Sequence, residues 1–334
     1  MPHIALHLIF STVALHWIPQ VYNTTASLRG LSVVSDKIAW ASGSNGTVLR
    51  TVDGGEHWEF RKVDGGAALD FRDIVAFDAK DALIMSSGTG DAARVYLTTD
   101  GGGTWKLVLP NPDKTGFFDA MKFWDRKNGI LLADPVDGRF TLFVTQDGGL
   151  TWTKATQPAA LKDEGAFAAS GTCLTLLGSH EAWFGSGGPG GARVFHTTDR
   201  GRTWTVATTP LSGQVAASGI FSLKFLDSQH GIAVGGDYEK PAQADRTTAL
   251  TNNGGQTWTS PPTGLMSGFR SAITYLKREK ILIAVGTSGS DYSSDGGQTW
   301  TSISKDNLNA VANHGNDVWA VGAKGSILKL TVGK

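Results

Sequence analysis

Three arginines stand in short frames of similar appearance: Arg29 in SLRGL, Arg72 in DFRDI and Arg270 in GFRSA. A guanidinium presents its N–H donors as a planar fork that matches a carboxylate, so arginines gathered at one concave place would bind an anion. A second chemistry is suggested by ADPVDGRF (133–140) and GGDYEKPAQADR (235–246), which carry Asp134, Asp137, Asp237 and Glu239 with Arg139 and Arg246. Two carboxyl groups across one bond are the machinery of glycoside hydrolysis. An acidic group of this kind could also hold calcium, but its spacing has no regular ligand pattern. The eight histidines show no HExxH or comparable zinc spacing. Phosphate-loop, dinucleotide and nucleophile-elbow patterns are absent as well. The single Cys173 excludes an internal disulfide framework and a Cys-rich zinc site, and it reads as a small buried hydrophobe. The residues therefore predict neither a metal nor a cofactor.

Such side chains act together only if the chain brings them together, and an internal repeat supplies the means. Six segments share one pattern: TVDGGEHW (51–58), TTDGGGTW (98–105), TQDGGLTW (145–152), TTDRGRTW (197–204), TNNGGQTW (251–258) and SSDGGQTW (293–300). Their tryptophans recur every 42 to 54 residues. Runs between them, such as TVLRT, RVFHT, KILIAVG and NDVWAVG, are rich in β-branched and aromatic residues and bounded by Gly, Asp and Asn, which is strand and turn chemistry. A strand-rich period near 40–50 predicts a β-propeller with one four-stranded antiparallel sheet per repeat. After Trp300 the chain supplies three more strands, LNAVAN, DVWAVG and GSILKL. The fourth strand is predicted from the other end of the chain, His16 to Gln20, where Trp17 falls in phase with the tryptophan series. The expectation is a single seven-bladed, all-β propeller over residues 16–334, its last blade closed by the N-terminal strand.

The repeated turn is architectural. D-G-G offers a residue that caps its own turn and two that tolerate positive φ. The tryptophan then buries a large ring. Arg200 replaces the first glycine in the fourth copy, so that turn is expected to be distorted. Aligning the first strand of each unit places one polar residue per blade at the central channel: Arg29, Arg72, Asp119, Thr172, Ser222, Arg270 and Asn309. Three arginines there against one aspartate predict a positive binding face.

The pattern S/T-x-D-x-G-x-T-W is similar to the Asp-box, or bacterial neuraminidase repeat, of sialidases and other propellers. With FRDIVAF, IAWASGSNGTVLRTVDGG and VWAVGAKGSILKL, the chain resembles the photosystem II stability/assembly factor-like propellers from about Trp17 to Leu330. That resemblance implies a non-enzymatic assembly factor with a functional arginine patch and a protein partner. Sialidases, the rival relatives, use an arginine cluster with a tyrosine nucleophile and its glutamate. Here the tyrosines number five, and none has an obvious glutamate partner in the pattern. The leading expectation is a non-catalytic propeller binding a protein segment or another anionic ligand through Arg29, Arg72, Asp119, Arg270 and Asn309, with Asp134, Arg139, Asp237 and Arg246 on adjoining loops. The alternative is a glycoside hydrolase, sialidase-like or acting on polysaccharides, which uses loop carboxylates and binds carbohydrate.

Composition narrows the classes further. Basic and acidic residues number 30 each, which argues against a broadly basic nucleic-acid binder. Hydrophobic residues make up 40%, enough to form a core, and so exclude global disorder. The six repeated segments hold twelve of the 43 glycines and six of the 11 tryptophans, with Trp17 in phase as a seventh. Ile4 to Leu15 form an apolar run too short to span a bilayer, and no other stretch is a membrane span. The run suits the core of a secretory signal, although Met1-Pro2-His3 lacks the usual basic residue. Residues 1–15 are therefore expected to be a signal peptide of a periplasmic or extracellular protein. The other reading is an N-terminal strand of a cytoplasmic one.

Overall fold

A computed structural model describes residues 15–262 and 265–332. Seven antiparallel sheets follow one another along the chain, and the first strands of successive sheets touch in a closed ring. These inner strands are Leu28–Val33, Asp70–Ala76, Phe118–Phe123, Leu174–Leu177, Ser218–Phe225, Ala272–Leu276 and Leu308–His314, and we number the blades 1 to 7 in that order. Within blades 1 to 6 the strands run outward in chain order. The architecture is the expected seven-bladed propeller.

Blade 7 closes the ring. Its outer strand is Leu15–Pro19, antiparallel to Ile327–Val332. Ile18 faces Lys329 just as Glu59 faces Arg50 in blade 1, so Trp17 stands where Trp58 stands. The Trp17 indole packs against the buried cluster that includes Leu276, Ile281 and Leu330 and donates Nε1–H to Ser290 Oγ at 2.9 Å. The chain thus covers the edge that Ile327–Val332 would otherwise expose. The predicted signal run, apart from Leu15, lies outside the described residues. Among those described, no helix is long and apolar enough to cross a membrane.

One blade departs from the four-stranded expectation. Blade 5 has three strands, and its outer segment is reduced to the bridge between Leu250 and Thr259. Pro261 and Pro262 follow after Ser260, and a proline has no N–H to extend the ladder.

The repeated turns share one hydrogen-bond set. In blade 2 the Thr98 hydroxyl donates to Asp100 Oδ1 at 2.8 Å and accepts from the Gly102 amide at 2.9 Å. Asp100 also accepts the Thr104 amide and hydroxyl at 2.9 and 2.7 Å. These donors hold its carboxyl down at about 2. Asn253 accepts the Thr251 hydroxyl and the Thr257 amide in the same way in blade 5, but it donates Nδ2–H to Thr257 Oγ1 at 2.8 Å where the aspartates accept. The fourth copy is not distorted: Arg200 itself takes φ +60°, and the Thr197–Asp199 and Asp199–Thr203 bonds are retained. Blades are joined by rings. Trp40, Trp183 and Trp319, from the second strands, are wholly buried. Trp58 of blade 1 meets Trp319 of blade 7 edge-on at 5.7 Å, and Trp105 meets Trp40 at 6.3 Å.

Candidate functional site

Five of the inner strands carry a β-bulge at the same place. The pairing register shifts across Arg29, Arg72, Asp119, Phe221 and Asn309, each the extra residue between two paired neighbours. A bulge re-aims the side chain of its extra residue. These five residues line one cavity of about 450 Å³ at the channel mouth. Blades 7, 1, 2 and 3 give it Asn309, Arg29, Arg72, Asp119 and Asp134, while Phe167, Phe221, Tyr238 and Phe269 come from blades 4 to 6 and their lead-in segments. The charged groups thus lie on one side of the wall, with Phe117 among them, and most of the rings on the other.

The charged half is unevenly satisfied. Arg72 donates Nε–H to Asp70 at 2.7 Å. Arg29 makes no hydrogen bond or ion pair among the described residues; burial and the charge of Arg72 push its pKa down, against the pull of Asp70. Asp119 is fully buried, and neither carboxyl oxygen has a hydrogen-bond partner. Burial, followed by the charge of Asp134, drives its pKa far up, with Arg72 opposing. Burial raises Asp134 to about 6, although the Ala166 amide donates to it at 2.9 Å. Two carboxyl groups and two guanidinium groups thus face a small space with bonds still to make. Asn309 is committed already, donating Nδ2–H to Leu28 O at 2.8 Å and tying blade 7 to blade 1.

Arg270 is elsewhere. In blade 6 the pairing of Ala272 with Val285 matches that of Ala310 with Val321, which puts Arg270 level with Leu308 rather than with Asn309. It is wholly buried inside the blade, where Nε donates to Asp291 Oδ2 at 2.7 Å and Nη1 donates to Ser288 Oγ at 2.9 Å. Ser271 takes the cavity position instead. An offset of one residue in the opposite direction replaces Ser222 with Phe221; the Ser222 hydroxyl accepts the Ile273 amide at 3.1 Å. The expected trio of channel arginines is therefore a pair.

The loop residues separate too. Asp134 belongs to the cavity, but Arg139, Asp237 and Arg246 do not line it. Arg139 donates to Gln157 O at 2.9 Å and Arg246 to Pro210 O at 3.0 Å. Asp237 is buried and accepts the Glu239 amide at 2.9 Å. The carboxyl pair that the fold assembles is Asp119 with Asp134, not Asp134 with Asp237. Cys173 is fully buried, and burial pushes its thiol pKa up, away from reactivity. Among the described residues one group could approach a metal, Asp53, Glu56 and His57, but Asp53 and His57 are already bonded to each other within their turn at 2.8 Å. The aromatic half had little repeat signature. Only Phe221 stands at the repeated bulge position; FAASG, GDY and GFR hold the other rings at unrelated places in the sequence, so periodicity could not find them.

Comparison with known proteins agrees with this architecture. The family described as photosynthesis system II assembly factor YCF48 matches residues 10–116. No curated protein matches. Among solved structures, "YCF48 bound to D1 peptide" is similar with TM-score 0.65 and 19% identity, covering 95% of this chain and 96% of that one. YCF48 from Cyanidioschyzon merolae gives TM-score 0.65 and 17% identity, over 94% of this chain and 98% of that one. The fold is shared more widely: U3-55K reaches TM-score 0.66 at 11% identity, with 95% and 98% covered. The chain is a seven-bladed β-propeller resembling the photosystem II assembly factor YCF48.

Proposed function

We propose that the protein is a non-catalytic binding propeller that captures a peptide segment by a carboxylate and an adjoining apolar side chain in the channel-mouth cavity. Arg29 carries the reading: it is a half-buried guanidinium in the cavity wall without a counter-ion of its own among the described residues. A carboxylate from a partner satisfies it, with Arg72 close enough for its charge to be felt. The aromatic half accepts the apolar side chain, since rings there are already stacked, Phe167 on Phe221 at 3.9 Å. The similarity to a YCF48 bound to a D1 peptide is consistent with a peptide ligand. The test is retention of displayed peptides with free C-termini on immobilised wild-type protein and on the variant R29Q/R72Q. Wild type retains a set enriched in apolar residues beside the carboxylate, and the variant loses it. Absence of any retained set, or retention unchanged in the variant, overturns the proposal.

A further inference from the structure

The channel is not open from end to end. The segment 165–171, which leads into the inner strand of blade 4, crosses it. Phe167 stacks on Phe221 of blade 5. Ser170 Oγ donates to Ser271 O of blade 6 at 2.9 Å. A Cβ placed on Gly171 would lie 2.2 Å from the Asp73 carboxyl carbon of blade 2, and this residue has φ +67°. Only glycine fits a position that needs both the positive φ and the contact. Beyond this crossing lies a second chamber of about 290 Å³.

Two lysines face into that chamber, Lys122 from blade 3 and Lys224 from blade 5. They hold the same register position, paired with Ile130 and Ile232, in the similar sequences MKFWD and LKFLD. Lys122 Nζ lies 3.4 Å from the buried Asp73 carboxylate. Asp73 is otherwise engaged by the Ile74 and Met121 amides at 2.9 and 2.8 Å. Lys224 has no hydrogen bond or ion pair among the described residues. Burial and the charge of Lys122 both push its pKa down. Thr175 brings a hydroxyl donor to the same walls, whereas the Thr172 hydroxyl is already bonded to Ser170 Oγ at 2.6 Å. One carboxylate is thus set against two ammonium groups, and the second ammonium lacks an anion.

We infer that the second chamber is an anion site in which Lys122, Lys224 and the Thr175 hydroxyl hold a small oxyanion of the phosphate class. An oxyanion between the lysines relieves their mutual repulsion and accepts the bonds that Lys224 leaves unmade. The site lies on the far side of the crossing segment from Arg29 and Arg72, so it stands or falls apart from the peptide proposal.

The test uses inorganic phosphate as probe, with acetate and chloride at matched ionic strength as controls. Calorimetric titration and thermal melting are recorded on wild type, K224Q and R29Q/R72Q. Phosphate is expected to bind wild type and raise its melting temperature above the matched controls, with acetate at least tenfold weaker. K224Q, which breaks no ion pair, is expected to keep the fold by circular dichroism and lose at least tenfold in phosphate affinity. R29Q/R72Q is expected to bind phosphate as wild type does. Unchanged affinity in K224Q, lost affinity in R29Q/R72Q, equal response to acetate, or no phosphate-specific effect would each overturn the inference.

Discussion

At the scale of single residues, the site is marked by groups that the fold leaves incomplete. Asp119 and Asp134 are the clearest case, two carboxyls held in a poorly solvated wall. Because burial raises the folded pKa of Asp134 to about 6, against about 4 in an unfolded chain, the native state holds that proton more tightly. Its contribution to stability is complete below pH ~4, declines as pH rises toward 6 and is absent above that. D134N removes this dependence. Urea unfolding of wild type and D134N between pH 4 and 7 is expected to show wild type losing up to about 3 kcal/mol relative to the variant. Parallel curves would show that Asp134 titrates normally. The turn aspartates have the opposite sign: Asp100 and Asp199, held down at about 2, stabilise above pH ~4 and lose that effect as pH falls through 2.

At the scale of elements, the inner strand decides which residues meet. The turns were legible because each satisfies itself locally, through bonds within eight residues, and the box tryptophans recur at a fixed place beside them. That is why six copies announced the blades and why Trp17 could be placed from its phase alone. The bulge register was not legible. FRDI and FRSA look alike, yet Arg72 is the extra residue of its strand while Arg270 lies one place earlier, its charge met by Asp291 two strands away. The crossing segment left no sequence signal either, since its contacts reach blades 2, 5 and 6. Arg270 therefore acts as a structural residue. R270L leaves Asp291 buried without its partner and is expected to cost about 3–5 kcal/mol in denaturant unfolding. R270L/D291L, with leucine at the blade 6 position that Leu308 fills in blade 7, is expected to recover most of that loss. Equal stability of R270L and wild type would place the arginine elsewhere.

At the scale of the whole molecule, a ring closed by two chain ends ties its stability to both. Deleting residues 1–22 removes the outer strand of blade 7 and uncovers Leu328, Leu330 and the edge of Ile327–Val332. The shortened protein is expected to melt several degrees lower and to associate at raised concentration, read by calorimetry and light scattering. An unchanged melting temperature would mean that the strand adds nothing to closure. The rigid ring in turn sets a charged half-wall and an aromatic half-wall at fixed places, which is the basis of the binding role proposed above.

The central claim is that the channel mouth holds its partner through a carboxylate on Arg29 and Arg72. Its most direct test is calorimetric titration of one retained peptide, prepared as the free acid and as the C-terminal amide, against wild type and R29Q/R72Q. The account predicts that amidation weakens binding to wild type by about 10- to 100-fold, the worth of one or two charge-assisted hydrogen bonds, and hardly alters binding to the variant. Equal affinity of acid and amide for the wild-type protein would contradict it.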